Sequence, residues 1–377
     1  MASPGVAPIQ ITIDPPSGSG PTATHALLAA MLHASEKISD LIFSPGRPPQ
    51  VEMHGQLVPL QGPGLRNFTA DDTRRIASDL IGNNKLAITT LREQGSCDIS
   101  FGLPGLARFR VNVFIQRGSC AVVMRVIPTS VPDFNSLSLP ASLADVANLR
   151  DGIVLVTGAR GSGKSSTLAA LLDRINEQHT CHIITIEDPI EFLHNHKRST
   201  IHQRELHSDA PSFALALRAA LRQAPRVILI GDLRDHETME MALEAAETGH
   251  LVFSSLNTPN TAKSVEKFVS SFAPSEHLSI RGRLAKVLRY AISQRLIPKR
   301  DGGRIPVFEI FRNTARTTNY IECCDANNDD LQSVIKDGAQ EGMQIFDDEI
   351  AKLIRAGVID LEVGMVHATD PQQLRQG

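Results

Sequence analysis

The chain has 377 residues, a formal net charge of −3 and 42% apolar residues, with no Trp and two Tyr. That length implies two or three domains with ample material for buried cores. The near-neutral balance gives no global basic field for nucleic acid or a membrane surface, and the shortage of Trp and Tyr argues against stacking platforms for single strands.

Cys97, Cys120, Cys181, Cys323 and Cys324 are odd in number and lack metal-site spacing, so they read as reduced thiols of a cytosolic protein. There is no run of 18 apolar residues, as a membrane span would need, and the N-terminus lacks the pattern of a signal peptide.

Residues 1–23, rich in Pro, Gly, Ser and Thr, read as a disordered tail, with Ile9–Ile13 alternating as an edge strand would. Residues 24–128 read as a small α+β domain. It opens with a helix whose face is Leu27, Leu28, Met31 and Leu32, followed by a strand at Asp40–Phe43 and a hairpin turning near Gly55. Thr69 is placed to cap a helix over Ala70–Ile81. Strands follow at Cys97–Phe101, Leu106–Phe114 and Ala121–Ile127. In the middle one Phe109, Val111 and Val113 share one face and Arg108 and Arg110 the other. Arg117 and Arg125 add to this concentration of arginines, which a solvated sheet face explains as well as a ligand site does.

Residues 129–146 carry prolines and serines and read as a linker. From 147 to 377 the pattern is a doubly wound α/β domain ending in short helices. Its apolar strands at Ile153–Thr157, Ile183–Glu187, Val227–Ile230 and Leu251–Ser255 alternate with helices, as in a buried parallel sheet.

One stretch carries the chemistry. Gly158-Ala159-Arg160-Gly161-Ser162-Gly163-Lys164-Ser165 is a G-x-x-x-x-G-K-S loop between a strand and a helix that continues through Ser166, the context a phosphate-binding P-loop requires. Its glycines let backbone N–H groups face phosphate oxygens, Lys164 reaches the β- and γ-phosphates, and Ser165 is the hydroxyl for Mg²⁺. The expected ligand is therefore ATP with Mg²⁺. Ligands of an open parallel sheet sit at the carboxyl ends of its strands. There the sequence places Glu187, in a run continuing to Glu191, then Asp232 after Val227–Ile230, and Asn257. Glu187 and Asp232 are candidate acceptors for the attacking water, and Asp232 also for Mg²⁺. Ordinary roles stay open: a cap or ion pair for Glu187, a turn for Asp232, an Asx turn for Asn257, a core or helix-end position for His250.

These stretches resemble the type II/IV secretion ATPase superfamily, and within it the PilT-type pilus retraction ATPases. The resemblance is carried by Gly158–Ser165, by Thr185–Phe192, by Gln203–His207, by Ile228–Asp235 and by Ala245–Phe253. In the first domain it rests on Ser39–Leu41, Gly46–Pro49 and Ala107–Asn112. It implies a PAS-like N-terminal domain beside a RecA-like ATPase domain, in a homohexamer whose ATP sites are closed by a neighbour. On that resemblance Arg108, Arg110, Arg117 and Arg125 match basic positions near the nucleotide, and His250 belongs to the nucleotide-binding set. It also implies a cytoplasmic motor, peripheral at the inner membrane, that acts on a pilus platform protein to depolymerise the pilus, with other pilus ATPases as further partners and no nucleic acid. Three positions depart from the family: Asp232 stands where Glu is usual, Asn257 where a second His is usual, and Ala315–Ile321 only partly matches the family's retraction motif. These departures motivate an alternative, an ATP-binding regulatory ring subunit with weak hydrolysis. A pilus-extension or secretion ATPase is the nearer rival, but the four-cysteine zinc module usual there is missing.

Overall fold

Two seven-stranded sheets carry the fold of the computed structural model, which describes residues 8–13, 23–35, 37–53, 55–127, 130–322, 328–372 and 374. The chain divides into two compact units, Met1–Thr129 and Ser130–Gly377. Most of the expected N-terminal tail, and Cys323 and Cys324, lie outside the described residues.

The first unit contains β1 (Ile9–Gln10), β2 (Ile38–Phe43), β3 (Gln50–Met53), β4 (Gln56–Gln61), β5 (Ser96–Leu103), β6 (Ala107–Gln116) and β7 (Ser119–Ile127), in the spatial order β1-β4-β3-β2-β7-β6-β5. Among the described residues of this unit only the short edge strand β1 pairs parallel. Helices α1 (Ala23–His33), α2 (Ala70–Ile81) and α3 (Lys85–Gln94) cover the sheet, and Leu28, Met31, Ile76 and Leu80 pack with Phe43, Phe109, Val111 and Val113. The alternation read on β6 holds: those last three side chains are buried while Arg110 is exposed. Thr69 caps α2 through a capping box with Asp72, and the bonds from the Thr69 backbone and hydroxyl hold the Asp72 carboxyl down at about 2. The helix α3 is not legible in the sequence. It buries only Ala87, and its Ile88-Thr89-Thr90 run is β-branched.

The second unit is a sheet of β8 (Gly152–Thr157), β9 (His182–Glu187), β10 (Thr200–Glu205), β11 (Val227–Ile230), β12 (Leu251–Leu256), β13 (Leu288–Pro298) and β14 (Arg304–Arg312), ordered β10-β9-β11-β12-β8-β13-β14. All neighbours pair parallel except β13 with β14. The strand β8 is buried along its whole length. Ile153 and Leu155 join one core, with α5 (Phe213–Ala220), α6 (His236–Glu247), α7 (Thr261–Val269) and α8 (His277–Val287). Val154 and Val156 join the other, with α4 (Lys164–Gln178). A strand covered on both faces explains the unbroken apolar run before the P-loop. The C-terminal part adds α9 (Ala315–Glu322), α10 (Asn328–Asp337), α11 (Phe346–Arg355) and α12 (Leu361–His367).

Within the stretch read as a linker, Ala141–Asn148 forms a 3₁₀ helix whose Leu143, Val146 and Ala147 are buried in the α4 core. Proline and serine content marks a break in regular structure there, but the apolar residues between still pack.

Candidate functional site

The P-loop leaves β8 at Thr157 and enters α4 at Lys164. Gly158 and Gly163 have φ of +147° and +92°. A Cβ at Gly158 would lie 2.4 Å from the Gln294 carbonyl oxygen, and one at Gly163 would lie 2.8 Å from Gln294 Nε2. Glycine is therefore required by close approach to β13 as well as by backbone angle. Gln294 Oε1 accepts from Thr167 Oγ1 at 2.7 Å, tying the same strand to the first turn of α4. Ala159, Arg160 and Gly161 are exposed at the loop's crest, and Gly163 gives α4 no side-chain cap. The uncapped N–H groups and the helix dipole form an anion site.

Lys164 Nζ donates to the carbonyls of Gly158 and Ala159, both at 2.9 Å, and to Asn257 Oδ1 at 3.0 Å. Asn257 follows β12, so the fourth strand end is brought to the P-loop lysine as its position suggests. Burial pulls the Lys164 ammonium below its ordinary pKa, opposed by the carboxylates of Asp232 and Glu191.

Glu187 ends β9. Its Oε1 accepts from Thr185 Oγ1 at 2.6 Å and from Gln203 Nε2 at 3.1 Å. Burial pushes its carboxyl above the ordinary range, and these bonds only partly offset that. Gln203 lies on β10 opposite Thr185, and it also donates to the Phe192 carbonyl and accepts from the His194 N–H. Glu205 on the same strand accepts from the Ile190 N–H. An edge strand thus fixes the acidic loop after Glu187. In the sequence that strand is hidden, because only Ile201 and Glu205 of its residues are buried.

Asp232 follows β11, beside Glu187: a Cβ on Gly231 would sit 3.3 Å from the Glu187 Cα. Arg234 Nε donates to Asp232 Oδ2 at 2.9 Å, and its Nη1 lies 3.2 Å from Asp188 Oδ2. One guanidinium therefore spans the ends of two strands. Arg234 stands two residues beyond Asp232, and that proximity to a motif acid is the signal that marks it. Gln294, on β13, carries no such signal. Ser165 lies in the first turn of α4 and Asp232 follows β11, and a hydroxyl and a carboxylate are the hard-oxygen donors that fit Mg²⁺.

One expected site residue of the second unit, His250, is not brought to this point. His250 precedes β12, whose register pairs Leu251 with Gly152 and Leu256 with Thr157. It stands a full strand, roughly 20 Å, from the P-loop. Its Nδ1 lies 2.9 Å from the Ala245 carbonyl and 3.3 Å from Thr248 Oγ1, the helix-end position left open from sequence. Within its own subunit His250 therefore stands at the opposite end of β12 from Asn257. Arg108 and Arg110 lie on β6, Arg125 on β7 and Arg117 at φ +46° in the turn between. Arg110 and Arg125 are register partners, and Arg125 Nε donates to Asp40 Oδ1 at 2.9 Å.

The sequence model of the family described as Type II/IV secretion system protein matches residues 72–354. The chain is 39% identical over 339 residues to the type IV pilus retraction ATPase PilT of Pseudomonas aeruginosa, covering 90% of this chain and 96% of that protein. It is also 39% identical over 327 residues to a twitching motility protein of Neisseria gonorrhoeae, covering 86% of each. Among solved structures, the pilus retraction motor PilT with bound ADP superposes with a TM-score of 0.81 at 38% identity, covering 94% of this chain and 99% of that one.

Proposed function

The chain belongs to the type II/IV secretion system protein family, and from that premise we propose that it is a ring-forming P-loop ATPase whose turnover drives type IV pilus retraction. The observation that carries this reading is the convergence of Lys164, Asn257, Asp232 and Glu187 at the carboxyl ends of adjacent strands, in a chain similar along nine-tenths of its length to a retraction ATPase. The ring is a homohexamer in the cytoplasm, at the inner face of the membrane, working on a pilus platform protein. No helix among the described residues is long and apolar enough to cross a membrane.

In the proposed cycle the P-loop amides and the α4 N-terminus bind the β-phosphate, and Lys164 exchanges its carbonyl partners for phosphate oxygens. Mg²⁺, held by Ser165 and Asp232, would neutralise charge on the β- and γ-phosphates. Glu187, with a carboxyl of raised pKa, orients the attacking water and accepts its proton. Asn257 leaves Lys164 and turns its amide N–H₂ to the γ-phosphate, a neutral contact that cannot carry a proton. Arginines from the first domain of a neighbour, Arg108, Arg110, Arg117 and Arg125, supply further positive charge to the transferred group.

A second reading, a regulatory ring subunit with slow hydrolysis, is favoured by one observation: the short acid Asp232 is already engaged by Arg234. Asp232→Glu separates the two. Restoring the missing methylene is expected to raise turnover, within the roughly 10²-fold that about 1 Å of misplacement can cost. Phosphate release at saturating Mg-ATP measures it. An unchanged, near-zero rate with intact nucleotide binding would favour the regulatory subunit.

A further inference from the structure

Glu309 is an acid that the proposed cycle does not use. It lies on β14 with 1% of its surface exposed. A buried carboxylate is costly unless hydrogen-bonded. Here the donors come from three separate elements. The Thr261 N–H at the start of α7 donates to Oε1 at 2.7 Å, Gln332 Nε2 on α10 donates to Oε2 at 3.2 Å, and the Ser293 hydroxyl on β13 donates as well.

Two of these partners lead directly to the nucleotide loops. Thr157, Ser293 and Glu309 occupy one row across β8, β13 and β14. Thr157 Oγ1 donates to Ser293 Oγ at 2.9 Å, so the row is a chain of donors running from the foot of the P-loop to the carboxylate. Thr261 begins α7 at the end of the loop that carries Asn257, the partner of Lys164. The third partner, Gln332, belongs to the C-terminal helices.

We propose that Glu309 is a positioning residue that couples nucleotide occupancy to the C-terminal helix α10. A shift of the P-loop foot or of the Asn257 loop changes the donors on one side of the carboxylate, and α10 answers through Gln332 on the other. The proposal rests on the reading of the P-loop as a nucleotide site.

The test is hydrogen–deuterium exchange of the full chain with and without Mg-ADP, with a fluorescent ADP to measure affinity. In the wild type, ADP is expected to slow exchange in the P-loop and to change exchange in residues 328–337 by about threefold or more, as local opening energies shift. Gln332→Ala is expected to abolish the response in 328–337 and to leave P-loop protection and ADP affinity unchanged. Gln332→Lys, which keeps a donor for Glu309, is expected to restore the response, which a merely structural role does not predict. Glu309→Gln, which removes the charge at constant shape, is expected to reduce it as well. A wild-type response confined to the P-loop, or a full response in Gln332→Ala, overturns the coupling while leaving the nucleotide site standing. Failure of the wild type to bind ADP overturns both.

Discussion

Lys164→Ala is expected to lower ATP turnover by roughly 10²–10³-fold or more, the loss seen when one preorganised group that stabilises transition-state charge is removed. The lysine is not replaceable by its neighbours. Its ammonium reaches two P-loop carbonyls and Asn257, so the loop is already shaped around a cation. Burial depresses its pKa, while Asp232 and Glu191 favour the charged form. Removing it leaves those acids facing the phosphates without a counter-charge, so nucleotide affinity should fall together with kcat. Steady-state phosphate release and fluorescent-nucleotide binding measure the two effects. A variant that binds ATP and turns it over at the wild-type rate would remove Lys164 from the site.

Glu187→Gln is expected to cost about 10²–10⁴-fold in kcat, the range for loss of a positioned acid–base group. The same change should stabilise the fold slightly at alkaline pH. The sign follows from the raised pKa. Burial makes the folded state hold the Glu187 proton more tightly than the unfolded chain, whose value is near the ordinary 4.5. Stability from this group is therefore fully present below that value and is lost as pH rises through the higher, folded value. Glutamine, never ionised, carries no such loss. The wild type should thus melt lower relative to Glu187→Gln at pH 8 than at pH 5. Activity should move the opposite way, requiring the ionised carboxylate and declining as pH falls through its raised pKa. A Glu187→Gln variant with full turnover would transfer the water-orienting role to Asp232.

The sequence and the structure agree where apolar runs and turn chemistry act together. The P-loop, the strand ends carrying Glu187, Asp232 and Asn257, and the Thr69 cap are all legible, because a buried parallel strand is wholly apolar and a glycine loop punctuates it. What stayed hidden was held by partners remote in sequence. Gln294 lies 127 residues from Thr167 yet buttresses the P-loop helix. Gln203 sits on a polar edge strand that lacks periodicity. Arg234 lies beside a motif acid, but its span to Asp188 exists only because β9 and β11 are neighbours. His250 shows the converse. A residue can belong to a recognisable box and still stand at the wrong end of its strand, because six strand residues separate it from Asn257.

The most direct test of the account is phosphate release from Mg-ATP by the purified protein across a range of concentrations, with the assembly state measured in parallel and Lys164→Ala as the control. Turnover per subunit that rises as rings assemble, and is lost in the control, is the predicted result. Assembled rings that bind nucleotide but turn over no faster than Lys164→Ala, with no gain from Asp232→Glu, would contradict it.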